Sequence, residues 1–335
     1  MKNKIAIASA FLAAASFSTA EIVINDFLSF EGFVDSSYTN TDADVQADGS
    51  DLSGSENSFE VDQVEISWLF NFDTVTAQID LQYEGDSLIP SGADGELVEQ
   101  AFVNFALGNG DVITAGRYAS MLGFEAYEPT GLYQYSTAYV ATPLKGYAQG
   151  VKYTRESDTS FFGISIQDEA FNNGANSLGG NEDVDGSYAV EIAYAQDLGN
   201  GFAAFIGAAY EDADDLGDSH IINAYVTYET GAWLFAAEVN SFESDLTTTG
   251  DQELLSGLLM ANYAYNDTAS VTARVSIEDL DDDGVDVEVV KYTLAHNKAL
   301  ADNLALIVEL SLVDGDTDIG DADITEFAVE LLFSF

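Results

Sequence analysis

The chain has 335 residues, with 59 acidic against 9 basic, a formal net charge of −50 and no cysteine. That balance repels nucleic acid and anionic bilayers, and the absence of cysteine excludes disulfides and thiolate metal sites. Hydrophobic residues make up 47% of the chain, yet beyond the N-terminus they are dispersed in alternation, without a run near the ~18 residues of a spanning helix.

The first residues carry an address. Lys2 and Lys4 form a positive start, Ile5 to Ala15 is a short apolar core, and Ser18-Thr19-Ala20 offers small residues for a cut. This is the pattern of a secretory leader, with cleavage expected after Ala20. No Cys follows the cut, so a lipoprotein is excluded. Residues 21–335 show no linker and are expected to form one unit.

Sixteen segments then alternate with a period of two, which means strands. They fall at about 27–38, 58–70, 73–84, 97–107, 110–118, 147–155, 159–168, 186–197, 201–211, 219–229, 231–241, 253–265, 268–277, 285–296, 301–312 and 323–335. Most are near the ~9–11 residues that a tilted strand needs to cross a bilayer.

Their connections alternate in length. Short turns are expected near Asn71-Phe72, Gly108-Asn109, Ser157-Asp158, Gly199-Asn200, Thr230, Asn266-Asp267 and Asn297-Lys298, where Gly, Asn and Asp supply positive φ. The others are long and polar, at 39–57, 85–96, 119–146, 169–185, 212–218, 242–252, 278–284 and 313–322. Short turns at one end and long loops at the other predict an all-β transmembrane antiparallel barrel of about 16 strands, embedded in outer-membrane lipid. Pro90, Pro129 and Pro143 all fall in expected loops. Trp68 and Trp233 sit beside short turns on the apolar parity and are expected in the periplasmic aromatic girdle.

The last stretch, ITEFAVELLFSF, places Thr325, Phe327, Val329, Leu331, Phe333 and Phe335 on one parity. A closing strand with alternating aromatics and a terminal Phe resembles the C-terminal signal of bacterial outer-membrane barrels. It implies that Phe335 is read as an insertion signal by the barrel-assembly machinery.

The long loop from Ala119 to Gly146 differs from the rest. It is the least acidic and holds Phe124, Tyr127, Tyr133, Tyr135 and Tyr139. Aromatics at this density favour packing on an inner wall, so this third loop is expected to fold into the barrel and narrow it. If the apolar parity faces lipid, Glu65, Asp80, Glu191, Glu238, Glu309, Glu326 and Glu330 face the lumen. Basic residues there are few: Arg117, Lys152, Arg274 and Lys291. With Glu125 and Glu128 of the loop, they are expected to oppose charges across a constriction and set a transverse field. The acidic surplus predicts a preference for cations.

Three segments add a resemblance. VEQAFVNF (98–105) carries Glu99, Gln100, Ala101 and Phe102; VITAGRYASMLGFEAYEP (112–129) carries Gly116, Arg117, Leu122, Gly123 and Glu125; ATPLKGYAQGVKYT (141–154) carries Pro143, Gly150 and Val151. This series resembles the OmpL-like beta-barrel porin family, over about an eighth of the chain. Gly116-Arg117 is also similar to the general trimeric porins. The resemblance implies a diffusion channel for small hydrophilic solutes in the bacterial outer membrane, and by analogy a homotrimer. It carries over no catalytic residue and no particular solute.

No cofactor is expected. Asp279, Asp281, Asp283 and Gly284 are spaced like the start of an EF-hand loop, but the twelfth position is Val290 rather than Glu. The stretch reads as a solvated turn, open to adventitious Ca or Mg, as do Asp314, Asp316 and Asp318. Two histidines, His220 and His296, at opposite ends of the expected barrel support neither a Ser-His triad nor a His-rich metal site, which argues against an enzyme. The alternatives are a plugged barrel serving as a structural or surface anchor, a solute-specific channel of the sugar type, and an outer-membrane phospholipase or protease.

Overall fold

The computed structural model describes residues 21–47, 50–84, 98–141, 146–171, 188–213, 217–246, 250–317 and 320–335. The expected leader with its cut after Ala20, the loop 85–96, and most of the loop 169–185 lie outside them. β1 (Ile22–Asn25) folds back as a short extra strand on β2 (Leu28–Ala47). β3 (Ser50–Asp51) prolongs the hairpin to β4 (Gly54–Phe72). The wall continues through β5 (Val75–Glu84), β6 (Val98–Gly108), β7 (Asp111–Ala119), β8 (Tyr147–Glu156), β9 (Ser160–Gln167), β10 (Tyr188–Gly199) and β11 (Phe202–Asp212). It is completed by β12 (Asp218–Thr230), β13 (Trp233–Leu246), β14 (Gly250–Asn266), β15 (Ala269–Asp282), β16 (Val285–Ala301), β17 (Leu304–Thr317) and β18 (Gly320–Ser334).

β18 then pairs with β2, from Gly320↔Ala47 to Ser334↔Phe33. Gly32 and Phe335 exchange backbone hydrogen bonds at 2.8 and 2.9 Å beyond the last ladder pair. The sixteen long strands thereby close an antiparallel barrel with no open edge, the arrangement a bilayer requires of a sheet.

Alternation decides which side is which. Along β10, Ala189, Glu191, Ala193 and Ala195 are buried while Ile192 and Tyr194 are exposed. Along β18, Ala328, Glu330, Leu332 and Ser334 are buried while Phe327, Leu331 and Phe333 are exposed. Large apolar side chains thus point outward and small or polar ones inward, the reverse of a water-soluble sandwich. At the short-turn end, Trp233 stacks on Tyr263 at 4.4 Å and Phe202 on Tyr228 at 4.2 Å, while Trp68 lies 5.4 Å from Phe30. The turns themselves use positive φ at Asp73, Asn109, Asn200, Gly110 and Gly201.

Two sequence expectations are corrected. Residues 39–57, 242–252, 278–284 and 313–322 are mostly ladder rather than loop: pairing runs out to Ala43↔Gly54, Leu246↔Gly250, Asp282↔Val285 and Thr317↔Gly320. Acidic residues on both parities hide the alternation there, but a hairpin in water needs no apolar face to keep its backbone bonds. The turn expected at Asn297-Lys298 lies inside β16, where these residues pair with Ile307 and Leu306. Asn297 is an inward-facing polar side chain, and the chain turns instead between Ala301 and Leu304.

Candidate functional site

The segment after β7 has no strand neighbour, so its backbone N–H and C=O groups need other partners. It finds them on the inner wall. Ser120 donates through N–H to Gly146 O at the loop's base. Ser120 Oγ and Met121 N then donate to Glu191 at 2.7 and 2.6 Å. Phe124 N donates to Glu238 at 2.7 Å, and Tyr139 Oη reaches the same carboxylate at 3.0 Å. Tyr135 N, Ser136 N and Ser136 Oγ all donate to Glu309, at 2.8, 3.1 and 2.5 Å. Val140 N and Ala141 N donate to Glu278 at 2.7 and 2.8 Å. Charge-assisted bonds of this kind are the strong ones. Three of the carboxylates expected to colour the lumen, Glu191, Glu238 and Glu309, thus hold the loop.

Carbonyl groups of the loop are met by wall donors. Arg274 donates to Ser136 O and Thr137 O, both at 2.9 Å, and pairs with Glu125. Thr272 and Asn297 donate to Tyr133 O, and Ser276 to Ala138 O. Lys291 Nζ donates to Thr137 O at 2.9 Å. Burial raises the phenols of Tyr133, Tyr135 and Tyr139 above their ordinary value, so they serve as neutral groups.

Apolar packing completes the attachment. Leu122, Phe124, Tyr133 and Ala138 join Phe205, Ile221, Tyr225 and Leu258 of the wall in one cluster, with Phe124 edge-on to Tyr225 at 5.7 Å. Room for it is made by glycine inside strands. A Cβ on Gly207 would sit 2.3 Å from Leu122 Cδ2, and one on Gly163 2.2 Å from Met121 Sδ. Gly207→Val should therefore displace residues 121–124 from the wall and change single-channel conductance, whereas pairing it with Leu122→Ala should restore the wild-type value. Unchanged conductance in the single variant would refute this role for Gly207.

The opposite wall keeps its acids. Glu65, Glu99 and Glu128 bring carboxylate oxygens within 4.8 Å of one another. Glu128 accepts from Gln63 at 3.0 Å and from Tyr147 at 2.7 Å. Asp80 accepts from Gln78 and Gln100. Asp35 and Glu330 are buried nearby on β2 and β18, and Glu326 is half-buried on the inward parity.

The expected constriction residues are thus drawn into close contacts. Glu125 touches Arg274 directly rather than across an opening. Arg117 Nε donates to Glu99 O at 2.8 Å, and its guanidinium lies 6.0 Å from the Tyr147 ring centroid. Lys152 lies 4.3 Å over the Tyr118 ring and donates to Ala119 O. Asp279 and Asp281 belong to the β15–β16 ladder, opposite Glu288 and Asp286, and Asp283 with Gly284 makes its tight turn. His220 and His296 sit on separate strands, beside Glu243 and Tyr265. Sequence reading missed Glu278, Asn297, Gly163, Gly207 and Asn223, whose Oδ1 accepts from Gly123 N at 3.1 Å and whose Nδ2 donates to Glu238. The available signal was a Gly or Asn inside an otherwise apolar strand, which marks a close approach.

Solved structures share this architecture. Salmonella typhi OmpF in complex with daunomycin matches with a TM-score of 0.66 at 14% identity, covering 94% of this chain and 100% of that one. The anion-selective porin from Comamonas acidovorans gives 0.65 at 16% identity, covering 92% and 99%. The outer membrane channel DcaP of Acinetobacter baumannii gives 0.64 at 12%, covering 92% and 97%. At these identities the likeness is one of fold. A comparison with curated proteins returned no match. A family model described as "Putative beta-barrel porin-2, OmpL-like" matches residues 28–335, and the chain belongs to that family.

Proposed function

We propose that this outer-membrane barrel is a passive diffusion channel for small hydrophilic solutes and ions, with a preference for cations, rather than an enzyme. The observation that carries the reading is the unequal inner wall. One side is covered by the inward loop, whose contacts engage Glu191, Glu238, Glu278 and Glu309. The rest of the inner wall carries Asp35, Glu65, Asp80, Glu99 and Glu330 on the inward parity, each almost closed off from water, together with the half-buried Glu326. The inward basic residues, Arg117, Lys152, Arg274 and Lys291, are fewer than the inward carboxylates, which leaves acid in formal excess on the inner wall. In a polar lumen such a surplus concentrates cations and repels anions.

Fold does not set the sign of selectivity, since a porin of the same architecture is described as anion-selective. The expected homotrimer belongs to the same proposal and is read by light scattering of the refolded protein. Reversal potentials across planar bilayers under a salt gradient test the channel. They should report cation preference that weakens as the screening length falls to ~3 Å near 1 M salt. Glu326→Gln, at the half-buried inward carboxylate of β18, should reduce the preference. Anion preference would overturn the cation reading, and no conductance would overturn the channel in favour of a plugged anchoring barrel.

A further inference from the structure

Where the loop meets the wall, carboxylates face donors at every contact described above except one. At the loop's base Glu128 approaches Glu65 of β4 and Glu99 of β6, carboxylate upon carboxylate, with oxygens of all three inside 4.8 Å. Glu65 and Glu99 are only 6% and 9% exposed. One oxygen of Glu65 accepts from Ser67 at 2.8 Å, but Glu65 Oε2 and Glu99 Oε2 are buried with no donor. Buried carboxylate oxygens without donors or a cation are strongly disfavoured. Were all three ionised with no cation between them, they would repel one another and push the loop away, yet Gln63 and Tyr147 hold Glu128 in place.

We propose that Glu65, Glu99 and Glu128 form a binding site for a calcium-class divalent cation, which fastens the base of the inward loop to the wall. The chemistry fits a hard ion: three carboxylate ligands from separate parts of the chain, with the half-buried Glu128 as the side from which water would complete the shell. Three carboxylates point to calcium over magnesium, because magnesium gives up its waters reluctantly and is usually held by only one or two carboxylates. The site is separate from the Asp279–Asp283 tip, whose aspartates are spread along a hairpin.

Tyr147 supplies an internal reporter, because its hydroxyl donates to Glu128. Terbium is the probe, titrated into the full refolded barrel with excitation of tyrosine. Wild type should show one saturable sensitised component that calcium displaces. That component should be lost in Glu65→Gln/Glu99→Gln and in Glu128→Gln, and retained when Asp279, Asp281 and Asp283 are all changed to Asn. Glu128 lies outside the barrel ladder, so its variant reports even if the wall variant assembles poorly; unheated gel mobility verifies the fold of each. A component that survives in Glu128→Gln, or is absent from wild type, overturns the site and leaves shared protons as the way the cluster is neutralised.

Discussion

Replacing Arg274 by Met should free the inward loop while leaving the barrel closed. The Arg274 side chain is fully buried and Glu125 nearly so. Removing one partner of a buried ion pair costs about 3–5 kcal/mol, because the other charge remains without compensation. Here the loss is larger in scope, since the same guanidinium also holds Ser136 O and Thr137 O. The wall does not depend on it: the β15 backbone stays paired at Met260 and Thr293 on either side. Unheated gel mobility should therefore match wild type. Chymotrypsin should cut at Tyr133, Tyr135 or Tyr139, which the attached loop shields, and single-channel conductance should rise and fluctuate. Arg274→Met with Glu125→Gln should recover part of the protection, because the stranded charge is gone, and the double-mutant cycle isolates the pair. Cleavage no faster than wild type in Arg274→Met would show that the loop is held without this pair.

Much of this barrel was legible because its two faces differ in chemistry. The period of two along Tyr188–Gly199 or Gly320–Ser334 separates Glu and Ala from Ile, Tyr and Phe, and that alternation survives in the burial of each residue. Asn109-Gly110 and Asn200-Gly201 advertise their turns through positive φ. The reading failed where one polarity covers both faces. From Asp279 to Asp283 and from Val313 to Ala322, acids on each parity conceal a ladder that runs nearly to the tip. It failed again at Asn297, whose usual place in turns outweighed its position on the inward parity. For the inner loop, aromatic content was enough to suggest that it folds inward. The partners of each charge were not readable, because Glu278 and Arg274 meet the loop from 138 residues away. Glu125, expected to act on solutes across a gap, is engaged with Arg274, Ala138 and Gln134. A lumen carboxylate and a loop-anchoring carboxylate look alike in sequence; only the donor in front of each separates the two roles.

Deleting Phe335 should reduce assembly in cells far more than it reduces the stability of the finished barrel. In the folded protein the residue adds two backbone hydrogen bonds to Gly32, at about 0.5–1.5 kcal/mol each. Its ring lies 6.2 Å from Phe30 and 5.8 Å from Phe333, contacts worth about 0.5–1.5 kcal/mol per aromatic pair. These are modest beside a seam that runs the whole length of β18, from Gly320↔Ala47 to Ser334↔Phe33. The truncated chain should therefore refold in detergent to a heat-modifiable barrel with near-normal yield. If the terminal aromatic is read during insertion, as its resemblance to the outer-membrane signal implies, the same chain should be depleted from the outer membrane when expressed in cells. The two measurements separate recognition from stability. Equal loss in both would make Phe335 a structural residue of the seam, and normal levels in the membrane would remove the signal role altogether.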